Sequence, residues 1–430
     1  MKDKKTKKHI VLRILLALFV VVLVMACIFS HFGGFGTGKC ADTEEFAKYA
    51  GKISDISIPA QARVIGLGEA THGNIEFQQL KLEVFKVMVE KYGVRAFALE
   101  GDYGGCEAVN RYIHGGSGTA QEAAAAIGFP IYQTEQMEQL ISWMREYNTM
   151  ASADDQLCFY GFDMQRYEKN CHFLLEVAKE LGVSVSELEQ IWDDEKGCFS
   201  ETYDPEQRTK VIEDVKRELQ QCDAPQAVQA VHFADILLQN REIGKVMDST
   251  ANGIVLRDRY MADNVYWILD QEAVRGNHRI FVSAHNGHIE KRHHYGTDGK
   301  AMGNLLADKL GEGYFAIGTD FFKARVSLPK GESHNDRKNH TFYSYNPLAK
   351  ASRKCGYDMA WLDFSIIPDD SPLQQYISGY TWLGTIGEGY SPLMAVLPMA
   401  YRVWDSPVEL YDGMILVSNA HPTVITKNSN

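Results

Sequence analysis

Positive charge is scarce over most of this 430-residue chain: 44 Lys and Arg face 56 Asp and Glu, for a formal net charge of −12. The first 32 residues hold Lys2, Lys4, Lys5, Lys7, Lys8 and Arg13 against Asp3, a net of +5, so the remainder carries −17. A body of that sign repels phosphate backbones, which excludes nucleic acid as a partner but not a cationic small molecule. No Gly-x-Ser-x-Gly occurs, so a serine nucleophile elbow is unsupported. A His-Glu-x-x-His zinc helix and a Walker A loop are also missing. Gly66-Leu67-Gly68 opens a dinucleotide fingerprint, but Thr71 stands where the third glycine is needed. Cys40, Cys106, Cys158, Cys171, Cys198, Cys222 and Cys355 are scattered with no Cys-x-x-Cys pair, which argues against a zinc ribbon or a thioredoxin-like redox site. There is no internal repeat and no low-complexity segment.

One long apolar run is present. Ile14 to Phe32 follows the basic head without a formal charge and is about as long as the ~20 residues a membrane helix requires. Basic residues stay cytoplasmic, so the body is expected outside the membrane. A cleaved signal peptide is the rival reading, although its apolar region is usually only ~7–15 residues. Val24-Met25-Ala26-Cys27 also resembles a bacterial lipobox, which would place a lipid on Cys27. Export permits disulfides, but spacing fixes no pairing. Residues 1–37 are therefore read as anchor and linker, with Gly33-Gly34-Phe35-Gly36 as the exit, and 38–430 as the domain.

That domain reads as α/β, with a central, mostly parallel sheet flanked by helices. Apolar runs at Arg63–Leu67, Arg95–Leu99, Leu157–Gly161, Arg279–Ala284 and Tyr314–Thr319 are expected as strands. Met359–Phe364, Met394–Pro398 and Met414–Val417 are further strand candidates. Helical periodicity marks Ile75–Tyr92, Thr134–Tyr147, Tyr167–Leu181, Val255–Val274 and Met302–Leu310. Residues 183–250 are polar and helical, without strands. They are expected as an insertion that either stands off the sheet as a lid or packs against it.

The chain is organised around Gly66-Leu67-Gly68-Glu69-Ala70-Thr71-His72-Gly73. Its loop places a carboxylate and an imidazole three positions apart, at the carboxyl end of a strand, where ligands of parallel sheets bind. A plain reading exists too: Thr71 and Asn74 are good helix caps. Three more strand ends repeat the pattern with Glu100, Asp163, and His285 with His288. Burying charge is costly unless it is paired, so packing alone explains such repetition poorly. His72 and His285 suit proton transfer near neutral pH. Glu69 and Glu100 can orient an imidazole or act as bases. Arg257 can clamp a carbonyl or a developing oxyanion, or form a surface ion pair. The same two histidines and two carboxylates could instead hold Zn²⁺ or Mn²⁺. His293 and His294 are expected in a solvated loop, and His114 and His232 in packing or surface positions.

These residues fall in stretches that resemble the erythromycin esterase family: Gly68 to Gly73, Ala98-Leu99-Glu100, Tyr160 to Gln165, Arg257-Asp258 through Met261-Ala262 to Asn264, and Ala284 to His288. Their order holds over roughly residues 60–420. The resemblance implies hydrolysis of a macrolide lactone, and with it macrolide resistance. It also implies a general base at His72, supported by Glu69, Glu100, Arg257 and His285. Asp163, His288 and Asn264 are assigned to substrate binding. No cofactor is expected. The competing expectations are a metal-dependent hydrolase or peptidase using the same cluster, and a binding module without turnover.

Overall fold

The computed structural model describes residues 2–31, 39–246, 250–292, 299–330 and 333–426. The expected linker glycines and the pair His293–His294 lie outside them. Helix α1 (Lys2–His31) contains the apolar run, and its His9–Ile28 span is long and apolar enough to cross a membrane. None of that span is buried against the body.

The body is built on one sheet. Its main strands are β1 (Val64–Glu69), β2 (Ala96–Asp102), β3 (Cys158–Asp163), β4 (Ile280–His285), β5 (Tyr314–Lys330), β6 (Ser333–Tyr343), β7 (Met359–Asp363) and β8 (Gly413–Ala420). They lie in the order β7-β8-β5-β1-β4-β2-β3, with Ala50–Gly51 outside β7 and β6 paired to β5. The five pairings from β8 to β3 are parallel. Strands β7 and β6 join antiparallel. The sheet is thus mostly parallel, as the apolar runs predicted. Strands buried on both faces read as continuous apolar stretches.

Period-two alternation divides the core. Val64, Ala96, Ala98 and Val282 face one layer with α5 (Glu168–Glu180), α6 (Pro205–Leu219), α7 (Pro225–Val246) and α8 (Thr250–Val274). Ile65, Leu67, Phe97 and Phe281 face the other with α2 (Ile75–Tyr92), α3 (Tyr103–Ile113) and α4 (Glu135–Met150). Helix α2 closes on Gly93 in the left-handed conformation, φ 66°, where a glycine costs least.

Several expectations needed correction. The 183–250 segment is not strand-free, because Trp192–Asp193 pairs with Cys198–Phe199. Nor does it stand off as a lid. Helix α7 packs on α5, with the Phe173 and Phe233 rings 5.7 Å apart, so its apolar stripe completes the first core layer. The predicted strand Met394–Pro398 is two short 3₁₀ turns, Pro392–Ala395 and Pro398–Tyr401, because Pro392 and Pro398 each fix the opening of a turn. The strand at Tyr314–Thr319 continues to Lys330 and pairs with β6. Asn74 precedes α2 without a side-chain cap; its amide instead donates to Arg325 O and His421 O, both at 2.9 Å. All eight cysteine thiols are free.

Candidate active site

Register assembles the site. In the β1–β4 pair Glu69 lies opposite His285, so two of the four strand ends are cross-strand neighbours. Strand β2 flanks β4 on its other side, and β3 flanks β2 with an irregularity between Leu99 and Asp102. Glu100 sits within that irregularity. Helix α8 crosses above these ends and delivers Arg257.

A cavity of about 500 Å³ opens there, within the range of small-molecule sites. His72, Glu100, Asp163, Arg257, His285 and His288 all line it. Phe129, Pro130 and Ile131 supply an apolar wall, pinned by the Tyr132 hydroxyl donating to Glu100 O at 2.7 Å. Gly387 and Glu388 also line the cavity. Among the described residues, none of the lining comes from 183–250.

His72 is held by Glu69, whose Oε1 meets its Nδ1. The other carboxylate oxygen of Glu69 takes the ammonium of Lys81, which is 1% exposed. Burial opposes charge on Glu69, yet Lys81 and His72 outweigh it and bring its pKa down to about 2. An ionised Glu69 accepts the Nδ1–H of His72, which leaves Nε2 of His72 as a lone-pair acceptor. Burial also disfavours charge on His72, but Glu69 more than compensates and raises its pKa above the ordinary value.

His285 is arranged the opposite way. Its Nδ1 accepts from Gly287 N at 3.3 Å, so the proton of the neutral ring resides on Nε2. Burial, with His72 and His288 nearby, drives its pKa down to about 3. The two rings lie 5.0 Å apart, one poised to take a proton and one to donate a hydrogen bond. This asymmetry carries a stability consequence. A histidine that stays neutral when folded binds fewer protons than the unfolded chain between about pH 3 and 6.5, so stability rises with pH across that window. His285→Asn is therefore expected to flatten the melting-temperature profile between those values. An unchanged slope would count against a buried, neutral His285.

Arg257 is the hub of the second half. Its Nε and Nη2 donate to Asp163 at 3.2 and 2.7 Å, its Nη2 also to Glu100 at 2.8 Å, and its Nη1 reaches His288 Nε2 at 3.1 Å. The other oxygen of Glu100 accepts the backbone N–H of His285 at 2.8 Å. Burial disfavours the Glu100 charge, but His288 and Arg257 hold its pKa well below the usual carboxylate range. His288 binds Asp258 through Nδ1 at 2.7 Å, and Asp258 also accepts Met302 N at 2.8 Å. Its Nε2 has two partners: Arg257 donates to the neutral ring, and Glu100, 3.3 Å away, accepts from the protonated one.

Asn264 is not part of this assembly. It is 1% exposed, donates to Phe162 O and exchanges hydrogen bonds with Gln239, each at 3.0 Å. The expectation that it binds substrate is corrected: its amide ties α7 and α8 to the end of β3. Asp163 lines the cavity, but both oxygens serve Arg257 and one also accepts Met164 N. Lys81, Asp258 and Glu388 were missed from the sequence. Glu388 is chelated by Arg337, with Nη2 to Oε2 at 3.0 Å. His232 stacks on Trp267 at 3.8 Å, which makes it a packing residue, one of the two placements expected of it. Among the described residues, no three His, Cys, Asp or Glu side chains converge as a metal-binding set.

Comparison with known proteins bears on the family and the fold. The chain is 24% identical to the erythromycin esterase type II of Escherichia coli over 357 residues, covering 73% of this chain and 83% of that protein. It is 22% identical to YbfO of Bacillus subtilis strain 168, a protein named as a hydrolase, with 85% of each chain covered. A solved Bacillus cereus protein shares the fold at a TM-score of 0.73 and 18% identity, over 90% of this chain and 100% of that one. A mutant erythromycin esterase in its open conformation does so at 0.59 and 15%, over 86% and 93%. The erythromycin esterase family model matches residues 89–420, which begins after the Glu69–His72 loop but takes in Glu100, Arg257 and His285. With well over half of its length matched, the chain belongs to the erythromycin esterase family.

Proposed function

We propose that this chain hydrolyses a carboxylic ester or lactone, a macrolide lactone being the substrate its family suggests, with water activated by His72. One observation carries the reading: Nδ1 of His72 is bound to a carboxylate that Lys81 keeps ionised, while the ring lines a cavity beside a neutral His285. His72 Nε2 removes a proton from water as the oxygen bonds to the carbonyl carbon. The oxyanion that forms receives the Nε2–H of His285. The imidazolium then returns its proton to the leaving alkoxide oxygen as the carbon–oxygen bond breaks, yielding acid and alcohol. Glu69 stabilises the imidazolium throughout. Arg257 spends its donors on Glu100, Asp163 and His288, so its role is to neutralise and fix that frame, with Glu100 holding the His285 backbone in place. No metal is required in this scheme. The donor set supports that, because the guanidinium already occupies the space between Glu100, Asp163 and His288 that a cation would need.

The body is proposed to lie outside the membrane, held by α1, on the strength of the basic head before one apolar span. Protease added to intact protoplasts is then expected to digest it, and protection alongside a cleaved surface control would refute the topology. Lipid on Cys27 remains a separate proposal that Cys27→Ala tests through loss of lipid labelling.

The activity test is a panel of macrolides, smaller lactones and esters offered to the full-length protein in detergent, read by mass spectrometry for addition of one water. Turnover that survives chelator is expected. Binding without turnover would establish a binding module, and activity lost to chelator and restored by Zn²⁺ or Mn²⁺ would establish the metal-dependent alternative.

A further inference from the structure

Ser391 to Tyr401 contains no charged residue, yet most of it faces solvent. Leu393, Val396 and Met399 are 56, 46 and 59% exposed. Beside this loop, Thr381–Gly384 pairs with Arg402–Asp405, placing Trp382 opposite Trp404. Trp404 and Tyr380 are each 51% exposed, and the Trp404 ring lies 5.1 Å from Trp382 and 6.4 Å from Tyr380. Of the large apolar side chains exposed among the described residues beyond α1, half fall between Tyr380 and Val408. Concentrated apolar exposure marks an interaction surface rather than ordinary scatter.

Helix α1 identifies what covers it. The helix approaches Pro398–Tyr401, so the apolar span able to cross a membrane adjoins this uncharged loop. Tryptophan and tyrosine prefer the boundary where an apolar ring and a polar edge are both satisfied. We propose that Ser391–Tyr401 and Trp404 rest in the headgroup interface of the bilayer that α1 crosses. Lipid fits better than a second copy of the chain because the patch continues the surface of the anchor itself. The docked loop begins three residues after Glu388, which lines the cavity, so that side of the cavity stands near lipid. A substrate that partitions into the bilayer then reaches the site without entering bulk water.

The proposal rests on α1 being a membrane anchor, and the experiment separates the two. Full-length protein is reconstituted into phosphatidylcholine–phosphatidylglycerol vesicles, floated on a density gradient, and its tryptophan emission compared with and without brominated phosphatidylcholine. Helix α1 contains no tryptophan, so the anchor contributes no signal. Wild type is expected to be quenched by brominated lipid at least twice as strongly as Trp404→Phe, which keeps an aromatic ring at that position. A chain that floats but shows equal quenching in both forms overturns the docked loop and leaves the anchor standing. A chain that does not float overturns both. Concentration-dependent cross-linking through this loop, with Trp404 shielded from lipid, would instead establish a second copy as the occupant. Quenching as expected without turnover on any ester supports the docking and counts only against the hydrolase reading.

Discussion

His72→Ala is expected to reduce kcat on the best ester or lactone by about 10²–10⁴-fold, the usual cost of losing a general base. The fold should survive. His72 lies in the loop between β1 and α2 and lines the cavity, so truncation enlarges an existing space and leaves no new void in the core. The substitution strands no charge either, because Glu69 keeps the Lys81 ammonium, and Gln78 Nε2 lies 3.5 Å from it. The informative measurements are kcat, KM and the melting temperature taken together. A large fall in kcat at constant melting temperature is the expected pattern. Turnover near the wild-type level would remove His72 from the chemistry, and a lower melting temperature with modest kinetic change would make it a structural residue. The pH profile adds a check. His72 must be neutral to accept a proton, and Glu69 holds its pKa above the ordinary value, so kcat should rise with pH through that shifted pKa and then level off.

Much of this arrangement was legible in the sequence, and the failures have physical causes. Parallel strands buried on both faces announce themselves as apolar runs, which is why β1, β2, β3, β4 and the start of β5 could be read, together with the titratable residues just past them. The second half of β5 and all of β6 could not. In β5 the charges of Lys323 and Arg325 interrupt the buried Ala324, Val326 and Leu328, and Ser333 to His340 is almost wholly polar with low strand propensity, so no continuous apolar run marks the pairing. Lys81 is the instructive omission. A lysine in an amphipathic helix is ordinarily assigned to water, but Lys81 lies four positions after Phe77 and three before Val84, on the face that α2 buries. A charge on a buried stripe demands a partner, and Glu69 is that partner. Asp258 gave a weaker signal beside Arg257, since only the approach of His288 and Met302 reveals why it is buried. Asn264 shows the converse. It keeps company with site residues in sequence, but nearly two helical turns separate it from Arg257, and it reaches the backbone of Phe162 rather than the cavity itself.

Arg257→Met is expected to be the most damaging single substitution in the site for stability, at about 3–5 kcal/mol, because it leaves Glu100 and Asp163 buried without their cation. The two carboxylates are 7% and 1% exposed, and water cannot replace the guanidinium at both. Methionine preserves most of the packing volume, so the loss would report charge rather than a cavity. Activity should fall too, because a Glu100 that takes up a proton weakens its hold on the His285 backbone. Arg257→Lys tests geometry apart from charge. A single ammonium cannot present the fork that spans Asp163, Glu100 and His288, so most of the activity should be lost while part of the stability returns. Acid separates charge from packing. Glu100 has a folded-state pKa depressed below 4.5, so its contribution is present above that pH and disappears as pH falls toward the folded value. The melting-temperature gap between wild type and Arg257→Met should therefore be widest at high pH and narrow progressively as pH falls through the acid range. A gap that stays constant from pH 7 to pH 3 would mean that Arg257 stabilises the protein through its packing alone, and the charge frame around the cavity would have to be reassigned.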